Sequence, residues 1–405
     1  MYEGDPFSVL GVRKIINAAG PQTRLSGGLM DEAVSAAMAE ASRHCVDMGE
    51  LQSAASDLIA GWTGAEAACV TGGGAAALML GAAACMTGLD VSRMNRLPQT
   101  EGMPNEFIMS RSQRNMYDRV VRQAGGVLVE VGIPDRFTGA GVRDADIHDF
   151  RSAMGPRTAA ILWFAQRNSE PPLARLVELA RETGVPLLVD AASQLPPKEN
   201  LRALLDAGAD LVAFSGGKAI GGPQASGFLA GRRDLVQAAV LQMMDHDLPP
   251  TLFRPIGKLF EGLELPTLPE HGIGRPAKAG KEAVVGLLTA LRRYVEHDPQ
   301  ERSRRWQEMC DSILCYASIE NQQWPIGTIE DPRRRGAFFI EIELADAEEA
   351  LSLAARLQDG DPSVRANLSR FREGVLLLSP MCIAETDVRP LGLAVAAALA
   401  ACLRS

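Results

Sequence analysis

The sequence predicts an α/β protein, a large domain with a mainly parallel sheet followed by a small carboxyl-terminal α+β domain. Three observations predict it. From about residue 66 to 240, short apolar runs alternate with helix-compatible segments, which is how a parallel sheet with crossover helices reads. The region 245–280 is then broken by Pro249, Pro250, Pro266, Pro269, Gly272 and Gly274, so no single regular element can run through it. Beyond it, a helical segment from Lys281 to His297 leads into further apolar runs and helical patterns.

Taken in order, residues 1–60 form an amino-terminal entry segment with a helix around 31–41. The large domain, 61–280, has expected strands at 67–71, 106–109, 127–131, 158–164, 186–190, 210–215 and 226–230, each a short apolar run bounded by turn residues. Between them, 74–86, 114–124, 172–183 and 199–207 carry apolar residues at helical spacing. The stretch 245–280 reads as a long functional loop. In the small domain, 281–405, strands are expected near 336–343 and 374–379 and helices near 346–357 and 388–402.

Composition removes several classes of function. In 405 residues, 46% are hydrophobic and 22% charged, an ordinary globular balance, and 41 basic against 50 acidic residues give a net charge of −9. No sustained basic block is present, which argues against a nucleic-acid partner. Seven scattered cysteines without a Cys-x-x-Cys pattern suggest a reducing compartment. The amino-terminal residues lack the basic and apolar regions of a signal peptide, and no apolar stretch is long enough to span a membrane, so a cytoplasmic location is expected.

The chemistry centres on Ser215-Gly216-Gly217-Lys218, which follows the apolar run Leu211–Phe214. A lysine after a strand is usually a solvated loop residue. Here, however, Leu187-Leu188-Val189 reads as a buried strand ending in Asp190, so carboxylate and lysine both fall at the carboxyl edge of the sheet, where open α/β sheets bind ligands. A lysine imine and an aspartate held against a pyridinium nitrogen are the two groups that pyridoxal 5′-phosphate (PLP) requires. The pair therefore reads as a PLP site with Lys218 and Asp190 catalytic.

Other segments fit around that pair. Thr71-Gly72-Gly73-Gly74-Ala75 is a strand end, a glycine turn and a helix start, a geometry that aims backbone N–H groups of Gly73, Gly74 and Ala75 at an anion such as the cofactor phosphate. In the loop Arg111–Tyr117 a planar side chain can cover the cofactor ring, with Gln113, Arg111 and Tyr117 as candidates. Arg275, Lys278 and Lys281 concentrate positive charge ahead of a helix, either a solvated face or a site for a phosphate or substrate carboxylate. The five histidines show no metal-ligand spacing and no Gly-x-Ser-x-Gly elbow occurs, so no metal site or serine hydrolase is expected.

On these residues the chain resembles the selenocysteine-synthase-like PLP proteins, particularly the branch of D-glucosaminate-6-phosphate ammonia-lyase. The likeness runs through Gly11–Gly20, Val46–Gln52, Thr63–Ala68, Val189–Pro196, Ser215–Lys218 and Arg275–Glu282. It implies PLP fold type I, a homodimer or higher assembly with shared sites, Lys218 bonded to the cofactor and Asp190 on the ring nitrogen. Relatives of this branch look to carry histidine where this chain has Gln113, and Thr23–Gly28 departs from the usual entry pattern.

The leading expectation is a PLP-dependent lyase that performs α,β-elimination with ammonia release on an amino acid or amino sugar acid, phosphorylated or not. The rivals are an amino-acid racemase, epimerase or aldolase, which begin with the same chemistry, and a PLP-binding protein without turnover. Selenium transfer onto seryl-tRNA is less favoured: proteins of that activity carry an extra amino-terminal RNA-binding region, whereas here the catalytic-type sequence starts near residue 8.

Overall fold

The computed structural model describes residues 5–133, 144–166, 169–254, 256–318, 323–332 and 334–402. Its strands, in chain order, are β1 (Ile16–Ala18), β2 (Ala67–Thr71), β3 (Glu106–Ser110), β4 (Val127–Val131), β5 (Thr158–Phe164) and β6 (Leu187–Asp190). They continue as β7 (Leu211–Ser215), β8 (Gly227–Gly231), β9 (Ile326–Glu330), β10 (Phe338–Glu343), β11 (Val364–Ala366) and β12 (Val375–Leu378).

Two compact units divide the chain, Met30–Val295 and the combination of Met1–Leu29 with Glu296–Ser405. These limits differ from the expected boundaries at 60 and 280. The helix Met48–Thr63 lies with the large sheet because Gln52 takes the place of a neighbouring strand. Its Nε2 donates to Val70 O and its Oε1 accepts from Val70 N, both at 2.9 Å, while Ser56 Oγ accepts from Ala68 N at 2.9 Å. The outer edge of β2 is thereby satisfied by side chains.

In the large unit seven strands run in the order β2-β8-β7-β6-β5-β3-β4. All are parallel except β8, which is antiparallel to both β2 and β7. Both faces are covered by apolar layers: Leu78, Leu80, Phe107, Leu162 and Val240 belong to one cluster, and Ile59, Ile108, Phe150, Val189, Phe214 and Leu291 to the other. Burial on both faces explains why the strands read as continuous apolar runs rather than alternating ones. The fold class expected from the sequence is the one found.

Details differ where tertiary contacts override local pattern. The helix expected at 114–124 is confined to Arg119–Gln123, since the buried Asp118 accepts from Asn115 N at 3.1 Å and pairs with Arg114 Nε at 2.6 Å, holding 114–118 as a loop. Among its described residues the proline-rich stretch carries only short 3₁₀ turns, at Pro250–Leu252, Lys258–Phe260 and Arg275–Ala277.

The small unit contains the antiparallel sheet β12-β10-β9 and a parallel pair, β1 with β11. Helices Pro299–Ala317, Ala347–Asp359 and Val388–Cys402 cover the sheet through Ile313, Leu353, Leu391 and Val395, which meet Ile340, Ile342 and Leu376. Among the described residues, no helix is long and apolar enough to cross a membrane.

Candidate active site

Parallel strands bring their carboxyl ends to one edge, and the turns that leave β2, β3, β6 and β7 there carry most of the residues selected from the sequence. After β2, Gly73 takes a φ of 143° and caps the helix Gly74–Thr87 without any side-chain hydrogen bond. Thr71 Oγ1 donates to Gly73 O at 2.9 Å and steadies the turn. The first-turn N–H groups of Gly74 and Ala75 thus stand where an anion is favoured by both hydrogen bonding and the helix dipole.

Packing ties this turn to its neighbours. A Cβ on Gly74 would sit 3.3 Å from Ala192 Cβ and 3.4 Å from both Phe214 O and Ser215 Cβ. At Gly227, which opens the reversed strand β8, a Cβ would fall 2.5 Å from Gly73 C and 2.6 Å from Gly74 N and Phe214 O. Glycine at 227 is what allows three backbones to meet beneath the site.

Asp190 ends β6 and is half-buried. Burial raises its carboxyl above the usual range, against the opposing pull of the Ala192 N–H, which donates to Oδ1 at 2.8 Å, and of the Lys218 charge. Such a carboxylate is poised for a cation. Lys218, from the turn after β7, donates from Nζ to Ser193 Oγ at 2.8 Å. One short turn, Asp190–Ser193, therefore presents to the lysine both a charge and a hydroxyl. Gln194 N donates to Ala191 O at 3.1 Å and Asn200 Nδ2 to Gln194 O at 2.7 Å, so the turn is braced from behind.

Gln113 is only 3% exposed. Its Oε1 accepts from Phe164 N at 3.0 Å, its carbonyl accepts from Asn115 Nδ2 at 2.9 Å, and its Nε2 is buried without a hydrogen-bond partner. The amide is held as a link between β3 and the end of β5. Of the other two planar candidates, Arg111 pairs with Glu130 at 3.5 Å and Tyr117 is exposed.

The three cations of the 275–281 segment do not act alike. Arg275 donates to Met243 O and to Asp245 Oδ2, both at 2.9 Å, and Lys281 is paired with Glu282. Lys278 is exposed and enters no ion pair among the described residues. Its backbone runs beside the glycine turn, for Gly72 N donates to Ala277 O at 2.8 Å and a Cβ on Gly72 would lie 3.2 Å from Lys278 O. Asp245, Asp247 and His271 bring ligand-type atoms within 4.8 Å of one another at the surface, but Arg275 and His271 already answer the two carboxylates. All seven cysteines are free, and burial pushes the Cys69, Cys310 and Cys382 thiols up to about 12, which makes them poor nucleophiles at neutral pH.

Both the sequence and the fold have known relatives. A family model described as L-seryl-tRNA selenium transferase (SelA) matches residues 16–248. The chain belongs to the SelA family. It is 30% identical, over 93% of its length and 88% of the relative, to a 5′-C-glycyluridine monooxygenase-decarboxylase of a Streptomyces species. It is 28% identical, over 94% of each chain, to D-glucosaminate-6-phosphate ammonia lyase of Salmonella typhimurium. A solved structure of D-glucosaminate-6-phosphate ammonia-lyase superposes with a TM-score of 0.78 at 26% identity, covering 99% of both chains. Serine palmitoyltransferase of Sphingomonas wittichii shares the fold at a TM-score of 0.53 and 14% identity, over 96% of this chain and 88% of that one.

This SelA-family chain is a fold type I enzyme, and the cofactor expected from the sequence, pyridoxal phosphate, stands with that membership. The residues present fit the group. A desolvated carboxylate at the sheet edge suits a pyridinium, an uncapped helix start behind a three-glycine turn suits a phosphate, and a lysine in electrostatic contact with that carboxylate lies between them in strand order.

Proposed function

We propose that this chain is an ammonia-lyase of the PLP class, removing the α-proton and a β-leaving group from an amino acid or amino sugar acid. The observation that carries the reading is the joint placement of Asp190, Ser193 and Lys218, with Lys218 Nζ hydrogen-bonded 2.8 Å from Ser193 Oγ and coupled electrostatically to Asp190. The likeness to D-glucosaminate-6-phosphate ammonia lyase supports elimination as the outcome.

In this reading Asp190 would hold the ring nitrogen in its protonated form, and the N–H groups of Gly74 and Ala75 would bind the cofactor phosphate. Bound pyridoxal phosphate supplies an electron sink for the pair left on the α-carbon. Lys218 Nζ would anchor the cofactor and, freed as an amine once the substrate's own amino group has taken its place, would take the α-proton and hand a proton to the departing β-hydroxyl, which leaves as water. The unsaturated amine then hydrolyses to a keto acid and ammonia. Arg275, Lys278 and Lys281 would serve as the anion site for an acidic substrate, with Lys278 the cation not already paired among the described residues. The reading extends to a cytoplasmic homodimer or higher assembly without a nucleic-acid partner.

A second reading rests on the Streptomyces relative, whose name describes a monooxygenase-decarboxylase. Racemisation, epimerisation and aldol cleavage start from the same residues. A library of phosphorylated and unphosphorylated amino acids and amino sugar acids, incubated with purified protein under air and under nitrogen, separates these outcomes. Ammonia released equally under both atmospheres supports the lyase. Oxygen-dependent carbon dioxide release supports the second reading, and loss of optical activity without ammonia supports a racemase.

A further inference from the structure

No pattern in the sequence marks Ser193, yet its hydroxyl touches the ε-amino group of Lys218. Three features fix the turn that carries that hydroxyl. Asp190 Oδ1 accepts from Ala192 N at 2.8 Å, Gln194 N donates to Ala191 O at 3.1 Å, and Gln194 Nε2 donates to Ala165 O at the neighbouring end of β5. Ser193 is thus the apex of a turn whose base is the catalytic aspartate and whose far side is bound to the next strand. Lys218, in contrast, sits on a glycine-rich turn and carries a long side chain with up to about 2 kcal/mol of rotamer entropy. Of the two partners, the serine is the fixed one.

We infer that Ser193 is a positioning residue, which holds Lys218 Nζ in place whenever that nitrogen is an amine carrying the substrate proton. A hydroxyl suits this task because it accepts from the ammonium and donates to the neutral amine, so the contact survives both protonation states. A carboxylate there would trap the ammonium. Asp190, three residues earlier in the same turn, supplies the charge to the ring nitrogen, and Ser193 supplies geometry to the lysine. The assignment rests on the functional reading above, in which Lys218 is the anchor and proton carrier.

The test uses Ser193→Ala and Ser193→Thr. Ser193 is exposed, so threonine has room for its extra methyl group. Two quantities are measured: the rate at which cofactor-free protein captures added pyridoxal phosphate, followed by its visible absorption, and exchange of the substrate α-proton with deuterated water. Loss of one hydrogen bond that solvent partly replaces corresponds to roughly a three- to tenfold change. The expected result is that Ser193→Ala slows both by that factor at unchanged final cofactor occupancy, and that Ser193→Thr restores both. Wild-type rates in Ser193→Ala overturn the inference, as does loss of cofactor occupancy in both variants, which would assign the position to binding or folding. If borohydride does not fix cofactor to Lys218 in the wild type, the functional reading itself fails, a result distinct from either of these.

Discussion

Replacing Asp190 by asparagine tests the centre of the site. The amide keeps the shape and retains an oxygen to accept from Ala192 N, which lies 2.8 Å from Oδ1, so the turn to Ser193 should survive. What disappears is the negative charge. A hydrogen bond to a charged partner contributes about 1.5–3 kcal/mol, so cofactor affinity should fall by roughly 10- to 150-fold, measured by titrating cofactor-free protein. Turnover should fall further, by about 10³-fold or more, because an unprotonated ring is a poor electron sink. Stability moves the other way. Burial raises the Asp190 carboxyl above its ordinary 3.8, so without cofactor the native state binds this proton more tightly than the unfolded chain. That group's contribution to stability therefore declines as pH rises from the ordinary value through the raised one. Cofactor-free Asp190→Asn should accordingly melt higher than wild type at neutral pH, the difference shrinking as the medium is acidified. A variant with wild-type affinity and turnover refutes the pyridinium role, and one that melts lower at neutral pH refutes the desolvation argument.

Further outcomes follow from neighbouring residues. Lys218→Ala should lose turnover by about 10³-fold or more and lose its borohydride-fixed label, checked by peptide mass analysis; a label found on another lysine refutes the assignment. Lys278→Ala should raise KM for an acidic substrate, or release cofactor if its partner is the cofactor phosphate, whereas Lys281→Ala should change either by less because Glu282 already neutralises that cation. Equal, negligible effects would make the segment a solvated face. Gly227→Ala should lower stability by about 1–3 kcal/mol, read as a drop in Tm, since its Cβ would lie 2.5–2.6 Å from three backbone atoms.

How far the sequence reaches can be judged residue by residue. The placement of Asp190 and Lys218 at one edge was legible because Asp190 ends one continuous apolar strand and Lys218 follows the end of the next by three residues, and parallel topology brings such ends together. Short apolar runs bounded by turn residues also located the whole large sheet. Ser193 lay in plain view three residues after Asp190 but carried no signal, since a serine in a turn has many uses and only the observed 2.8 Å contact selects one. The helix Met48–Thr63 carries no clear apolar periodicity because the face it buries includes Ser53 together with Gln52 and Ser56, two polar residues whose partners are a distant strand edge. The cation cluster was visible as charge, while its division into paired Arg275 and Lys281 and unpaired Lys278 depends on Asp245 and Glu282, whose orientation no spacing rule supplies.

The amide of Gln52 that stands beside β2 also bears on how molecules of this protein can meet. A strand at the rim of a sheet ordinarily offers its N–H and C=O groups to any extended segment that drifts past, the route by which many sheet proteins join or aggregate. Here Val70 spends both groups on one side chain, and Ala68 spends its N–H on Ser56. Copies of the chain cannot continue the sheet from that rim, so contact there must be made through side chains. Removing the amide, as in Gln52→Leu, would leave both backbone groups of Val70 buried without partners beneath the helix Met48–Thr63, and a lower Tm is the expected result.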